Sequence, residues 1–236
     1  MGNSGIQILA MTLTYYGHSC FGVRVNGKDL LFDPFITPNG SASDVNVDAV
    51  PADYILLSHG HADHVADAVR IAKRTGAVVI SAFEIHEWLQ TKGVTNTHPM
   101  NTGGRRSFDF GSVKCVVAQH SSTLPDGAPG GNPMGFLVNT PEGDFYYSGD
   151  TALTMDMQLI PTWGRPAFAV LPIGDNFTMG YEDAAIAAQW VGCKRIIGVH
   201  FDTFGLIRID HEAAVRHFQK LGLELILPGI GSVTGL

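Results

Sequence analysis

Along the chain, short apolar runs alternate with amphipathic stretches, and the change of period marks the elements. The segments DLLFD (29–33), YILLS (54–58), AVVIS (77–81), SVKCVVAQ (112–119), FAVLPI (168–173), RIIGV (195–199) and ELILP (224–228) read as strands. GFLVNT (135–140) and DFYYS (144–148) flank the turn PEGD (141–144) and read as a hairpin. A helical period replaces the strand period in DHVADAVRIAKRTG (63–76). There Val65, Ala68, Val69 and Ala72 share one face, and Gly76 suits a C-terminal cap. FEIHEWLQTKG (83–93), YEDAAIAAQWVG (181–192) and DHEAAVRHFQKLG (210–222) give three more helices. Strands dominate, with helices interspersed in each half. That order predicts an α/β (α+β) chain of two sheets with helices outside, rather than one parallel sheet. No linker, composition shift or repeat divides it, so one domain is expected over 12–236, with 1–11 as an N-terminal extension.

The polar residues of interest stand where these strands end. His59 follows YILLS and opens the run His59-x-His61-x-Asp63-His64. In an extended loop, side chains two apart point the same way, so His59, His61 and Asp63 can converge, with His64 at the start of the following helix. His120 (AQHSS), Asp150 (SGDT) and His200 (GVHFDTF) each follow a later strand. Imidazole and carboxylate are the donors that divalent metals take without thiolate. One ion needs about three protein ligands plus water. Seven donors are enough for two ions with one carboxylate between them.

Composition narrows the function. Hydrophobic residues make up 45% of the 236 and charged ones 16%, which allows a sizeable core. The net charge of -7 argues against nucleic acid as partner, because phosphate-backbone affinity needs clustered Lys and Arg. Cys20, Cys115 and Cys193 are far apart and odd in number, so a reducing, cytoplasmic setting is expected. The N-terminus lacks the pattern of an export signal, and no apolar run has membrane-spanning length.

The phrases SHGHADH, AQHSS, SGDT and GVHFDTF, in this order, resemble the metallo-β-lactamase superfamily. YYGHSCF, LLFDPF, PIGDNFTMG and HFDTF are similar to a narrower group, the metal-dependent hydrolases related to L-ascorbate-6-phosphate lactonase. The resemblance implies a four-layer αββα sandwich with the site at one edge. It implies His59, His61 and His120 on one ion, Asp63, His64 and His200 on the other, and Asp150 bridging. Asp33 would orient a ligand imidazole; its alternative is a turn residue before Pro34. His18 is covered by the same resemblance and is placed near the substrate. Asp175 is placed there too, against the alternative of a turn aspartate.

The chemistry expected is hydrolysis of a small-molecule lactone, ester or phosphate-bearing metabolite. A water activated between two divalent ions would attack, with Asp63 and Asp150 holding it. Zinc is the first candidate, and manganese, nickel and iron also accept these donors. The competing readings are a phosphodiesterase or nuclease of the same superfamily and a non-catalytic, metal-loaded sensor. A homo-oligomer is compatible with all of them. Ser121 and Ser122 show no triad setting, and His86, His98, His211 and His217 are expected outside the site. The Gly- and Pro-rich segment 122–135 is expected as a mobile rim over the substrate.

Overall fold

The apolar runs pair into two sheets in a computed structural model, which describes residues 11–236. The expected extension, apart from Met11, lies outside the described residues. Met11 itself is buried in the core, and its carbonyl accepts from the Leu236 N–H at 2.9 Å.

In the first half of the chain, β1 (Thr12–Gly17), β2 (Cys20–Val25), β3 (Lys28–Phe32) and β4 (Tyr54–Leu56) lead to α1 (Ala62–Val65) and α2 (Ala68–Thr75). Then follow β5 (Val78–Ser81), α3 (Phe83–Thr91) and β6 (Thr97–Pro99). The second half contains β7 (Arg105–Phe108), β8 (Gly111–Val117), β9 (Met134–Asn139), β10 (Asp144–Tyr147) and α4 (Ile160–Trp163). It continues with β11 (Pro166–Pro172), α5 (Tyr181–Trp190), β12 (Arg195–Val199), α6 (His211–Lys220) and β13 (Glu224–Ile226). The last strand, β14 (Val233–Gly235), crosses back to pair with β1. Among the described residues the sheet orders are β14-β1-β2-β3-β4-β5-β6 and β13-β12-β11-β10-β9-β8-β7.

The sandwich interior is aromatic. Phe21 stacks on Phe32 at 4.6 Å, Phe145 on Phe168 at 5.0 Å, and Phe32 meets Phe145 edge-on at 5.9 Å. The central strands β10 and β11 of the second sheet are largely buried on both faces. Phe145, Tyr147, Phe168 and Val170 face the other sheet, whereas Tyr146, Ala169 and Leu171 belong to a second core shared with Ala184 and Ala188 of α5 and Phe218 of α6. This explains why DFYY and FAVLPI are continuous apolar runs rather than alternating ones.

The helix expected over 63–76 is broken. Its two pieces, α1 and α2, are separated by Ala66 and Asp67. Asp67 is buried, and its carboxylate accepts from the N–H groups of Ile36 and Thr37 at 2.7 and 2.8 Å and from the Thr37 hydroxyl at 2.6 Å. Three charge-assisted bonds to the loop after β3 outweigh continuation of the helix.

Strand direction sets the site. β8 and β9 are antiparallel, as are β9 and β10, while β10, β11 and β12 are parallel. The C-terminal ends of β8, β10 and β12 therefore share one edge and deliver His120, Asp150 and His200. In the other sheet the parallel pair β3–β4 delivers Asp33 and His59. No helix among the described residues is long and apolar enough to cross a membrane.

Candidate metal centre

Asp150 is the hub. It is buried, and four imidazoles approach its Oδ2: Nε2 of His200 at 2.9 Å, His64 at 3.2 Å, His120 at 3.7 Å and His59 at 4.0 Å. His59 Nε2 lies 3.0 Å from His61 Nδ1, and His64 Nε2 lies 3.9 Å from Asp63 Oδ2. The donors fall into two groups. His59, His61 and His120 form one, and Asp63, His64 and His200 form the other together with His18; within each group the donor atoms lie within 4.8 Å of one another. All seven residues expected from the sequence meet at this edge.

These donors suit divalent cations. His64 Nε2 and Asp150 Oδ1 are buried with no hydrogen-bond partner. The close approach of His64 to Asp150 thus lacks hydrogen-bond geometry. Orphaned polar atoms in a buried cluster are costly unless something charged completes them.

Asp33 fixes two of the imidazoles. Its carboxylate accepts from the Ser58 N–H at 2.8 Å, the Ser58 hydroxyl at 2.5 Å, the Tyr147 hydroxyl at 2.6 Å and His64 Nδ1 at 2.8 Å. With Nδ1 donating, His64 Nε2 keeps its lone pair for a cation. The Ser58 hydroxyl donates to Asp33, so it accepts from His59 Nδ1 at 3.0 Å, which frees His59 Nε2 in the same way. Metal-ligating histidines usually have such a partner on the far nitrogen. Ser58 and Tyr147 were not singled out from the sequence; the position of Ser58 directly before His59 was the one available signal.

His18 is in the site. Burial pulls its pKa down to about 4, so the ring is neutral near pH 7. Nε2–H then donates to Asp63 Oδ2 at 3.1 Å, while Nδ1 accepts from the Thr203 hydroxyl at 3.0 Å. His18 steers Asp63, and Thr203 steers His18. Backbone strain accompanies this placement. His18, Asp33 and His200 have φ of 57°, 41° and 55°. The His200 N–H is tied to the His18 carbonyl at 3.0 Å. Left-handed backbone at such residues costs on the order of 1 kcal/mol or more and persists where the surroundings over-determine it.

In the metal-free protein the charges are strongly coupled. Burial pulls His59 well below the usual imidazole range, with the neighbouring His64 adding to the effect. Burial alone would lower His64 too, but Asp150 and Asp33 hold it well above that range. Burial would raise Asp150, and the imidazoles of His64 and His200 more than reverse it. Asp63 is likewise held low by His18 and His64 against its burial.

One expected site residue lies elsewhere. Asp175 is exposed on a turn, with its carboxylate on the Asn176 N–H at 2.8 Å; it lines a separate depression with Arg208 and Asp210, because the left-handed turn at 175–176 directs it away from the cluster of donors. Segment 122–135 is tied to its surroundings at several points. Leu124 is buried, Asp126 accepts from Trp88 Nε1 at 2.7 Å, and a Cβ on Gly130 would strike Ser122 Oγ. Of the other histidines, His86 bonds Thr97, His211 bonds Asp202, His98 packs on Phe108 and His217 on Tyr181. The donors open onto a cleft of about 290 Å³ lined by His61, Asp63, His120, Ser121, Asp150, Phe177, His200 and Phe204.

Comparison with known proteins places the chain in a family. The family described as "Beta-lactamase superfamily domain" matches residues 28–201. A UPF0173 metal-dependent hydrolase of Flavobacterium johnsoniae is 50% identical over 221 residues, covering 94% of this chain and 98% of its own length. Another from Methylacidiphilum infernorum is 53% identical over 209 residues, covering 89% and 92%. The solved structure of Igni18, a metallo hydrolase from Ignicoccus hospitalis, superposes with a TM-score of 0.87 at 31% identity over 96% of this chain and 98% of that one. The isothiocyanate hydrolase from Delia radicum gut bacteria shares the fold, with a TM-score of 0.76 at 18% identity over 96% and 99%. The chain belongs to the β-lactamase superfamily and, within it, to the UPF0173 metal-dependent hydrolases.

Proposed function

We propose that this chain hydrolyses a small-molecule carbonyl or phosphoryl bond at a two-ion centre. His59, His61 and His120 would hold one ion and Asp63, His64 and His200 the other, with Asp150 facing both donor groups. The observation that carries the reading is the pair of buried atoms with no hydrogen-bond partner, His64 Nε2 and Asp150 Oδ1, where the two donor groups meet. Zinc suits these N and O donors, and manganese, nickel and iron are accepted by the same set.

The ions, when bound, supply Lewis acidity toward the substrate oxygen and lower the pKa of a nearby water. The protein's own groups do the rest. Asp63 keeps 26% of its side chain exposed to the cleft, and His18 holds its Oδ2, so the carboxylate can accept a hydrogen bond from the attacking water and orient it. Asp150 is buried and offsets positive charge on both sides. Asp33 locks the His59 and His64 rings, so no reorganisation accompanies the reaction. Neither Ser121 nor Ser122 is placed as a nucleophile: His61 Nδ1 faces His59 Nε2 in the donor cluster, so its Nε2, 3.3 Å from Ser121 Oγ, carries the proton and is no base toward it, and Ser122 Oγ accepts the Gly60 N–H. The three free, buried cysteines support a reducing compartment, the cytoplasm in this reading.

The test is a turnover screen of lactones, esters, amides and phosphodiesters with zinc-reloaded protein, against chelated protein. Metal-dependent turnover of a lactone, ester or amide is expected. Turnover of phosphodiesters alone would favour the phosphodiesterase reading, and metal retention with no turnover of any class would favour a sensor.

A further inference from the structure

Two large aromatic side chains stand in water beside the metal-ligating residues. Phe177 and Phe204 line the same cleft as His61, Asp63 and Asp150, and they are 51% and 41% exposed. They arrive on different loops, one after β11 and the other after β12. Both loops are fastened to the centre. Phe177 sits in the turn made by its own N–H on the Asp175 carbonyl, and the Met179 N–H bonds the Thr151 carbonyl at 3.0 Å, one residue from Asp150. Phe204 follows Thr203, whose hydroxyl meets His18 Nδ1, and its ring packs edge-on to His18 at 5.3 Å. Rings left in water yet tied to the catalytic edge are preorganised contact surface rather than loose loop decoration.

The charge of the lining is equally specific. The charged groups facing the cleft are the carboxylates and imidazoles already assigned to the ions; among the described residues no lysine or arginine lines it. Arg208, on the same segment as Phe204, lies in the neighbouring depression beside Asp175 and Asp210. A phosphate or carboxylate remote from the reacting bond would find no cation there. The cleft, at about 290 Å³, also lies at the lower end of small-molecule sites, which run from about 300 to 1,000 Å³.

We propose that Phe177 and Phe204 form an aromatic clamp that selects a small substrate whose group beyond the hydrolysed bond is apolar and uncharged. This rests on the hydrolase reading for the bond itself, but the clamp can be measured without turnover. The probes are acetohydroxamate, butyrohydroxamate and hexanohydroxamate, whose common head binds zinc, and a hydroxamate of butyryl length ending in a phosphonate. Binding to the zinc-loaded full chain is followed by calorimetry, with zinc content verified.

Affinity should rise about three- to fourfold for each methylene that reaches the rings, and the phosphonate probe should bind more weakly than butyrohydroxamate. In Phe177→Ala/Phe204→Ala the ratio of hexano- to acetohydroxamate affinity should fall toward one. Both positions are exposed, so the fold should survive; Phe177→Leu/Phe204→Leu, which keeps apolar surface, should retain much of the gradient. A flat series in the parent, a gradient unchanged in the alanine variant, tightest binding of the phosphonate, or no hydroxamate binding to zinc-loaded protein would each overturn the clamp. A ring-dependent gradient without turnover of any substrate class would sink the hydrolase reading and leave the clamp standing. Turnover with a flat gradient would do the reverse.

Discussion

Asp150→Asn is expected to cut turnover by more than about 100-fold, because losing merely an outer hydrogen-bond partner of a metal ligand already costs about 10–100-fold. Asp150 is 2% exposed, and four imidazoles converge on its Oδ2. Asparagine preserves the size and removes the anion. Two cations would then face each other without the carboxylate that offsets them, and at least one should be lost. The fold should persist, since the pairing of β10 ends at Tyr147 and the aromatic core does not involve this side chain. Circular dichroism and turnover on the best substrate of the parent check this together. A folded variant with near-parent turnover would mean that the carboxylate is not between the ions.

The second large effect is on stability. Ions that bind the native chain alone stabilise it by about 4 kcal/mol each at a thousandfold excess over Kd. For a chain of this size that corresponds to roughly 8–16 °C in Tm per ion. Chelation should therefore lower Tm by about 10 °C or more.

The gap should widen between pH 6 and 8, for a definite reason. In the metal-free protein Asp150 and Asp33 overcome burial and raise the pKa of His64. That pairing stabilises the metal-free fold fully below the unfolded value of about 6.5 and is lost as pH rises toward the raised folded value. The metal-loaded protein carries no proton on His64 Nε2, so it does not share this loss; ions and protons compete there. Scanning calorimetry of chelated and reloaded protein at pH 6 and 8 reads both effects. An unchanged Tm after verified metal removal, or a gap that narrows as pH rises, would contradict the coupling.

What the sequence revealed follows from what is local. His59, His61, Asp63 and His64 lie within one loop and the turn after it, so their spacing alone suggested the cluster that the fold brings together. His120, Asp150 and His200 were legible because each follows an apolar strand. The groups that aim them were not. Ser58 and Tyr147 act through Asp33, and Thr203 acts through His18, across contacts that only the sandwich creates. The break at Asp67 has the same origin, since its partners Ile36 and Thr37 belong to a different loop. β7 escaped notice because its residues are largely exposed and it is a strand by pairing with β8, not by burial. Phe177 and Phe204 lie within the phrases PIGDNFTMG and HFDTF, but nothing there placed their rings at the cleft, as a loop phenylalanine looks the same wherever the loop goes. Asp175 misled for the converse reason: it follows an apolar strand as the ligands do, but a left-handed turn points it elsewhere.

The central claim is a centre of two ions built on seven side chains. Elemental analysis of the protein after chelation, reloading with zinc and removal of free metal tests it most directly. The account predicts close to two equivalents per chain in the parent and at most one in Asp150→Asn. Saturation of the parent at a single equivalent would contradict it.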